Sequence, residues 1–456
     1  MYDLIIKGVL VLEHRVVHGE AGVQDGKIQE ISERSGTLQG ARTLDFGSCY
    51  VFPGMIDAHV HCFSNPEEGF IATTTAAAAG GITTVLDMPY DVPDPITRID
   101  RFLDKRKRVA AEAIVDVGLW ASIAKSGGID QIAPMAEAGA IAFKMSTFET
   151  DAYRFPSIPD SDIIKAMEKL ETLGLRAAFH AENSELIHEA IRERQTQGRK
   201  HNRSHSDTRP PVTETSAVLK VLEFAYWTGV KLHIVHASHP RSIELISLFR
   251  KMGVDVTVEI CFPHLLLDAG ALDRLGPKAK INPPLREPQD VSGLWEKLCG
   301  GQVDMIASDH APWGAIRKAI GSGDIFRAAS GMPGVEFMVP LLFDQCIVRR
   351  GISAVQFARW LSGGPAETYR IPGKGRIASG YDADFTVIDS AAPWKIDETR
   401  LRSHSRLTPF HGYEGKGRVV HTIVRGTSVF NGEEVLVQPG FGQFVAGQAM
   451  KKEVLL

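Results

Sequence analysis

Cysteine is scarce in this chain: five in 456 residues, at positions 49, 62, 261, 299 and 346, with no CxxC pair among them. An odd number without paired spacing excludes a disulfide framework and predicts free, mostly buried thiols in a reducing compartment, the cytoplasm. Neither sign of charge is in excess. The 51 Lys+Arg stand against 55 Asp+Glu, a net charge of −4 with a pI near 6.5, which leaves no electrostatic footprint for a nucleic-acid or membrane-surface binder. The first residues, with Asp3 and Lys7 flanking Leu4-Ile5-Ile6, lack the charged-then-apolar order of a secretory signal. Long apolar runs are missing too. Residues 69–86 are the longest uncharged stretch, but they are rich in Ala and Thr and broken by Gly80-Gly81, so they read as helix, turn and strand rather than a membrane span. What remains is a composition of 44% hydrophobic and 23% charged residues, that of a globular protein with a large core and neither a disordered chain nor a fibre.

Texture changes twice along the chain. Up to about residue 53, Val, Ile and Leu alternate with charged residues between turn signals such as Asp25-Gly26, the pattern of half-buried strands. A similar pattern returns from residue 374 onward, so residues 1–53 and 374–456 are expected to form one small β-sandwich domain. Between them, short apolar runs alternate with helical stretches, the texture of βα units and a parallel sheet. Eight runs can be counted, at 56–61, 82–88, 115–121, 140–145, 175–180, 231–236, 254–259 and 303–309. Eight such units predict a (β/α)8 barrel over residues 54–373, with its chemistry at the C-terminal ends of the strands. A doubly wound open sheet is the alternative, yet no GxGxxG turn follows the first strand.

His59 and His61 lie two apart on the first run, and residues i and i+2 of a strand share a face, so both imidazoles can converge on one point. Alone, such a pair says little. The later runs add to it: Lys144, His180, His236 and Asp309 stand at the ends of the fourth, fifth, sixth and eighth. Apolar strands do often end in polar residues because they emerge into solvent. Six nitrogen and oxygen donors at one rim, however, suit zinc or a similar divalent ion with positions left open. Lys144 then poses a problem, since an ammonium beside a dication is repelled and desolvated. Some chemistry must remove its charge.

The segments Phe52-Pro53-Gly54-Met55-Ile56-Asp57-Ala58-His59-Val60-His61, Phe143-Lys144, His180-Ala181-Glu182, Ile234-Val235-His236, Asn282-Pro283-Pro284-Leu285-Arg286 and Ser308-Asp309-His310-Ala311-Pro312 resemble the amidohydrolase superfamily. Within it they are similar to the cyclic amidohydrolases: allantoinase, dihydroorotase, and hydantoinase or dihydropyrimidinase. The resemblance spans nearly the whole chain, including residues 375–384 and 408–412. It implies that Lys144 reacts with carbon dioxide to form a carbamate, N6-carboxylysine, turning a cation into a bridging carboxylate. It further implies two divalent ions, expected to be zinc: His59, His61 and Asp309 on the first, His180 and His236 on the second, with Lys144 and a hydroxide between them. Asp309 becomes the candidate proton carrier between that hydroxide and the departing ring nitrogen. Asn282, Ser330 and Gly331 become candidate substrate contacts, although Asn before Pro and a Gly/Pro loop are also ordinary turn formers. The partner implied is a small cyclic amide, and the assembly a homodimer or homotetramer.

Departures from the pattern bear on the substrate. Phe63 stands where dihydroorotases carry an Arg for a substrate carboxylate. Glu149 stands where hydantoinases carry a Tyr, the nearest being Tyr153; Asp91 replaces the usual allantoinase Asn. The best single expectation is therefore an allantoinase-like opening of a ring ureide or imide, with hydantoinase or dihydroorotase activity as alternatives. Glu182, Glu259 and His310 could orient ligands, while His239 and His264 read as ordinary histidines. A scaffold that has lost its catalysis would lack metal histidines or the lysine, and a mononuclear deaminase would need no Lys144.

Overall fold

The computed structural model describes residues 1–34 and 36–450. Four strands open the chain: β1 (Tyr2–Val11), β2 (Val16–Gln24), β3 (Lys27–Ser32) and β4 (Gly40–Pro53). The β2–β3 hairpin turns on Asp25-Gly26, with φ of 52° and 72°, the two left-handed positions that a tight hairpin of matching twist requires. Eight strands follow: β5 (Met55–Val60), β6 (Ile82–Asp87), β7 (Asp116–Leu119), β8 (Phe143–Ser146), β9 (Arg176–His180), β10 (Lys231–Ile234), β11 (Val256–Cys261) and β12 (Met305–Ala307). Each of the eight expected runs overlaps one of them, with β5, β8 and β11 reaching one or two residues beyond. They are fully or almost fully buried, as strands covered on both faces must be.

Parallel ladders join β5 to β7 and β8 to β12, and two parallel bridges, Ala121 with Phe143 and Val60 with His310, close the ring into a barrel. Ile56, Ala58, Leu86, Trp120, Ala178 and Val235 pack together as one buried cluster, the filled interior expected of this architecture. Crossover helices such as Ile99–Glu112, Asp160–Thr172 and Pro240–Lys251 surround it. The uncharged stretch at 69–86 is indeed helix Gly69–Ala79 followed by β6. Among the described residues no helix is long and apolar enough to cross a membrane, and all five cysteines are free.

After the barrel come β13 (Phe385–Lys395), β14 (Glu414–Val424), β15 (Thr427–Phe430) and β16 (Phe444–Val445). Strands from both chain ends form one continuous seven-stranded sheet, ordered β15-β14-β13-β4-β1-β2-β3. Register shifts in β1, β2, β13 and β14 bend its long strands, as bulges do. One face closes over Leu4, Ile6, Val23, Phe385 and Val387. The expected sandwich is thus a single sheet in its hydrogen bonding. Within the segment assigned to the small domain, β16 behaves differently: it pairs in parallel with β7 of the barrel, and Gly447 N–H donates to the Gly139 carbonyl at 2.9 Å. A two-residue strand carries no periodicity that could have revealed this.

Candidate active site

At the rim, β5 solves a positioning problem with one extra residue. Its register against β6 slips between Asp57 and Val60, a bulge of the kind that re-aims side chains next to sites. Ile56 and Ala58 can then fill the barrel while His59 and His61 reach the cavity above it. Both imidazoles present Nε2 to Asp309 Oδ1, each at 3.2 Å, and the donors of this trio all lie within 4.8 Å of one another. Beside them His180 Nδ1 stands 3.0 Å from His236 Nε2, and the His59 and His236 rings are 5.5 Å apart. Lys144, on β8, lines the same space. His236 and Asp309 hold φ of 38° and 48°, left-handed conformations that cost energy for residues with a Cβ and cluster where function requires a side chain to be aimed.

Carboxylates behind the rim fix which nitrogens face forward. Glu259 bonds His59 Nδ1 and accepts from His236 N–H at 3.1 Å. Glu182 holds His180 Nε2 at 2.7 Å and is itself backed by Arg209 at 3.4 Å. Sequence reasoning named both as possible orienters, and both face the rim: Glu182 lies two residues beyond His180, and Glu259 comes from β11, a strand that supplies none of the six donors. His310 points elsewhere: its Nδ1 accepts from Gly334 N–H at 3.0 Å, tying the strand end to the 330–335 loop. His239 caps helix Pro240–Lys251 and His264 bonds the Pro283 carbonyl, the ordinary roles expected of them.

Burial sets the protonation of the donors. It lowers His61 to about 4 and His236 well below the usual histidine range, so both are neutral near pH 7 with lone pairs to offer. Burial would raise Asp309, but His59, His61 and Lys144 pull it below its ordinary value, leaving a carboxylate. Burial also lowers Lys144 to about 8, against the pull of Glu259 and Asp309, which places an amine able to lose its proton where the chemistry of carbamate formation needs one. His236 Nδ1 is buried without a hydrogen-bond partner. Neutral imidazoles, a carboxylate and a depressed lysine converging at these distances fit divalent-metal binding.

The six rim residues together with Asn282, Ser330 and Gly331 line one cavity of about 460 Å³, a volume suited to a small ligand. Asn282 Oδ1 is buried there without a partner. Ser330 and Gly331 are more constrained than a flexible turn: the Ser330 carbonyl accepts from Trp313 Nε1 at 2.7 Å, and Gly331 N–H donates to the Lys280 carbonyl at 2.9 Å. At Gly331, with φ of 121°, a Cβ would come within 2.6 Å of the Ala311 side chain, so only glycine lets the loop pass so close.

Other walls were not legible from the sequence. Tyr90 stacks on Phe155 at 3.8 Å, and Phe155 meets the His180 ring at 5.5 Å; Arg154, Trp313 and Arg317 complete that side. All but Arg317, which sits on the five-residue helix Ala315–Ala319, lie on loops, and neither setting has a periodicity to betray a facing. Of the divergent positions, Phe63 is buried under Arg108 and against Phe70, outside the cavity. Glu149 lines the cavity but is paired with Lys125. Tyr153 points outward to Asp94 at 2.7 Å, and Asp91 is taken up by Lys105 at 2.7 Å.

Comparison with known proteins agrees with this geometry. Residues 50–429 match the model of the amidohydrolase family. The chain is 36% identical to an allantoinase of Rubrobacter xylanophilus, with 99% of each chain covered, and 31% identical to an L-hydantoinase of Paenarthrobacter aurescens, with 98% of each covered. The solved L-hydantoinase (dihydropyrimidinase) of Arthrobacter aurescens superposes with a TM-score of 0.95 at 31% identity, over 98% of this chain and all of that one. A barrel whose strand ends gather these donors, matched in sequence and shape along its whole length, makes this chain a member of the amidohydrolase family.

Proposed function

We propose that the protein is a metal-dependent cyclic amidohydrolase that opens the C–N bond of a ring ureide or imide, with an allantoin-like ring as the first substrate. One observation carries the reading: nine residues from seven separate stretches of chain line one cavity; five of them are imidazoles or a carboxylate fit for divalent ions, and His59, His61 and Asp309 lie within 4.8 Å of one another. Relatives named allantoinase and hydantoinase over their full length support it. His59, His61 and Asp309 would hold one ion and His180 and His236 a second, with Lys144 between them as its carbamate; the donor set favours zinc. Such ions, when bound, supply Lewis acidity, making water nucleophilic at neutral pH and polarising the carbonyl it attacks.

The chain's own residues divide the remaining work. Water oxygen adds to the ring carbonyl, the C–N bond breaks, and one proton must travel from the water to the departing nitrogen. Asp309, ionised and facing the cavity, accepts that proton and delivers it. Asn282, with an amide that donates and accepts at once, pairs with the ring's own amide. Glu259 and Glu182 keep the imidazoles turned to the cavity. The fit to the solved L-hydantoinase favours a hydantoin or dihydropyrimidine ring as the second choice. The same reading has the enzyme in the cytoplasm, supported by five unpaired cysteines, as a homodimer or homotetramer, supported by Val212, Leu219, Tyr226 and Trp227 exposed along helix Pro211–Thr228. Assaying allantoin, hydantoins, dihydropyrimidines, dihydroorotate and cyclic imides with zinc and bicarbonate tests the reading. Close to two metal ions per chain and one ring opened well above the others is the expected result; metal-loaded protein that opens none of them ends it.

A further inference from the structure

Two guanidinium groups reach the cavity, one from a loop and one from the short helix Ala315–Ala319, and both lack a carboxylate of their own. Arg154 follows β8; it is half-buried, and its Nη1 donates to the Tyr90 carbonyl at 3.0 Å. Arg317 follows β12 and lies over the Trp313 ring at 5.5 Å. Among the described residues neither has an acid within ion-pair distance. The nearby acids are committed elsewhere: Asp151 caps the N–H groups of Tyr153 and Arg154 through Oδ1, and Asp91 belongs to Lys105. Burial lowers the Arg154 pKa, and the charge of Arg317 lowers it further, while Asp151 and Asp91 only partly offset this.

Two deeper cations of this wall are matched, while Arg327, exposed at the mouth, also has no acid within ion-pair distance among the described residues. Arg209 is paired with Glu182 at 3.4 Å, and the Lys280 ammonium donates to the carbonyls of Ile325, Phe326 and Ala328. Two like charges brought to one side of a cavity without a counter-ion raise the energy of the empty site and lower it again when an anion enters. Guanidinium is the group whose planar fork suits a carboxylate. Its place is informative as well: Arg154 adjoins Phe155, whose ring stands 5.5 Å from His180. A ring held at the metal donors would direct its substituent along the Tyr90–Phe155 stack toward Arg154.

We propose that Arg154 and Arg317 form an anion subsite, and that the preferred substrate is a cyclic ureide or imide whose substituent ends in a carboxylate. This rests on the cyclic-amide reading for the ring but not for the anion. Phe63, buried away from the cavity, cannot supply the charge, so the carboxylate is met from the loop wall instead.

The test pairs hydantoin-5-acetic acid with its uncharged isostere, hydantoin-5-acetamide, measuring calorimetric binding to the metal-loaded protein and ring opening separately. The acid is expected to bind about tenfold tighter than the amide at low salt, the difference shrinking as salt rises. Arg154→Gln, which can still donate to the Tyr90 carbonyl, should cost the acid about tenfold and the amide less than threefold. Arg154→Lys should recover part of that loss, and Arg317→Gln should show a smaller version of it. Equal binding of acid and amide, or equal losses for both in Arg154→Gln, overturns the subsite. An acid that binds preferentially, with neither it nor any ring of the panel opened, keeps the subsite and removes the hydrolase reading. Opening of both without preference keeps the hydrolase and removes the subsite.

Discussion

Two clusters of buried charge sit on this barrel and are built on opposite principles. At the seam with the seven-stranded sheet, the Lys374 ammonium is surrounded: Asp116 and Asp384 at 2.6 Å and Asp382 at 3.1 Å. Arg425 pairs with Asp116, and the N–H groups of Arg425 and Gln443 take further carboxylate oxygens at 2.7 and 2.9 Å. Burial would lower the Lys374 pKa, yet Asp384, Asp116 and Asp382 raise it. At the rim, Lys144 is just as buried, has no acid within ion-pair distance among the described residues, and is lowered to about 8. His236 Nδ1 and Asn282 Oδ1 there lack partners, and two residues hold strained backbone. A fully partnered cluster stabilises a fold; one left short of partners is a cost the fold carries, and its resolution lies in what binds there.

Losing Lys144 gives the sharpest test of that contrast. Lys144→Ala is expected to bring metal content well below two per chain and to cut ring opening on the order of 10³-fold or more, while the thermal midpoint of metal-free protein stays put or rises. Short carboxylic acids should restore part of both losses by standing in for the carbamate. If the metal-free variant unfolds several degrees earlier instead, Lys144 belongs with the seam cluster and the contrast fails. Asp309→Asn comes next, because proton transfer typically contributes roughly 10²- to 10⁴-fold. Asn tolerates the left-handed backbone that position 309 requires, so turnover should fall by about that range with the fold intact; an unchanged rate removes Asp309 from the relay.

The rim was readable before the fold because strand-end chemistry is local. His59 and His61 share a face by spacing alone, and a polar residue closing an apolar run marks the end that emerges. The eight runs were legible for the same reason, although β7 and β12 proved only four and three residues long. What brings Asp116 and Lys374 together is separated by more than 250 positions, and periodicity reports which way a residue faces, not what it meets. The loop wall of Tyr90, Arg154 and Phe155 had no pattern at all. The pairing of β16 with β7 was hidden for a further reason: its affinity lies in backbone groups and in close-packed Gly442 and Gly447.

At the seam the expected signs reverse. Lys374→Met would leave Asp384 buried without its cation and Asp116 with Arg425 alone, a change that costs about 3–5 kcal/mol. Urea midpoints should drop accordingly, with metal content and turnover per folded molecule unaltered. A variant equally stable but inactive would show that the seam, too, is functional.

Glu20, in the small sheet, extends the contrast to a carboxylate with a complete set of partners. Burial would raise its pKa, but the N–H groups of Leu38 and Gly36, the Thr37 hydroxyl and the Lys7 ammonium lower it from 4.5 to about 2. Since the folded value lies below the unfolded one, its contribution is fully present above pH 4.5 and fades as pH falls toward 2. With solvent screening at the edge of the molecule, that contribution is about 1–2 kcal/mol. Glu20→Gln should therefore lower the urea midpoint by a constant amount from pH 6 to 8, and the gap to wild type should narrow between pH 5 and 3. A gap that ignores pH would mean that shape rather than charge holds residues 36–38 against β2, and that complete partnering of a carboxylate is no guide to what it contributes.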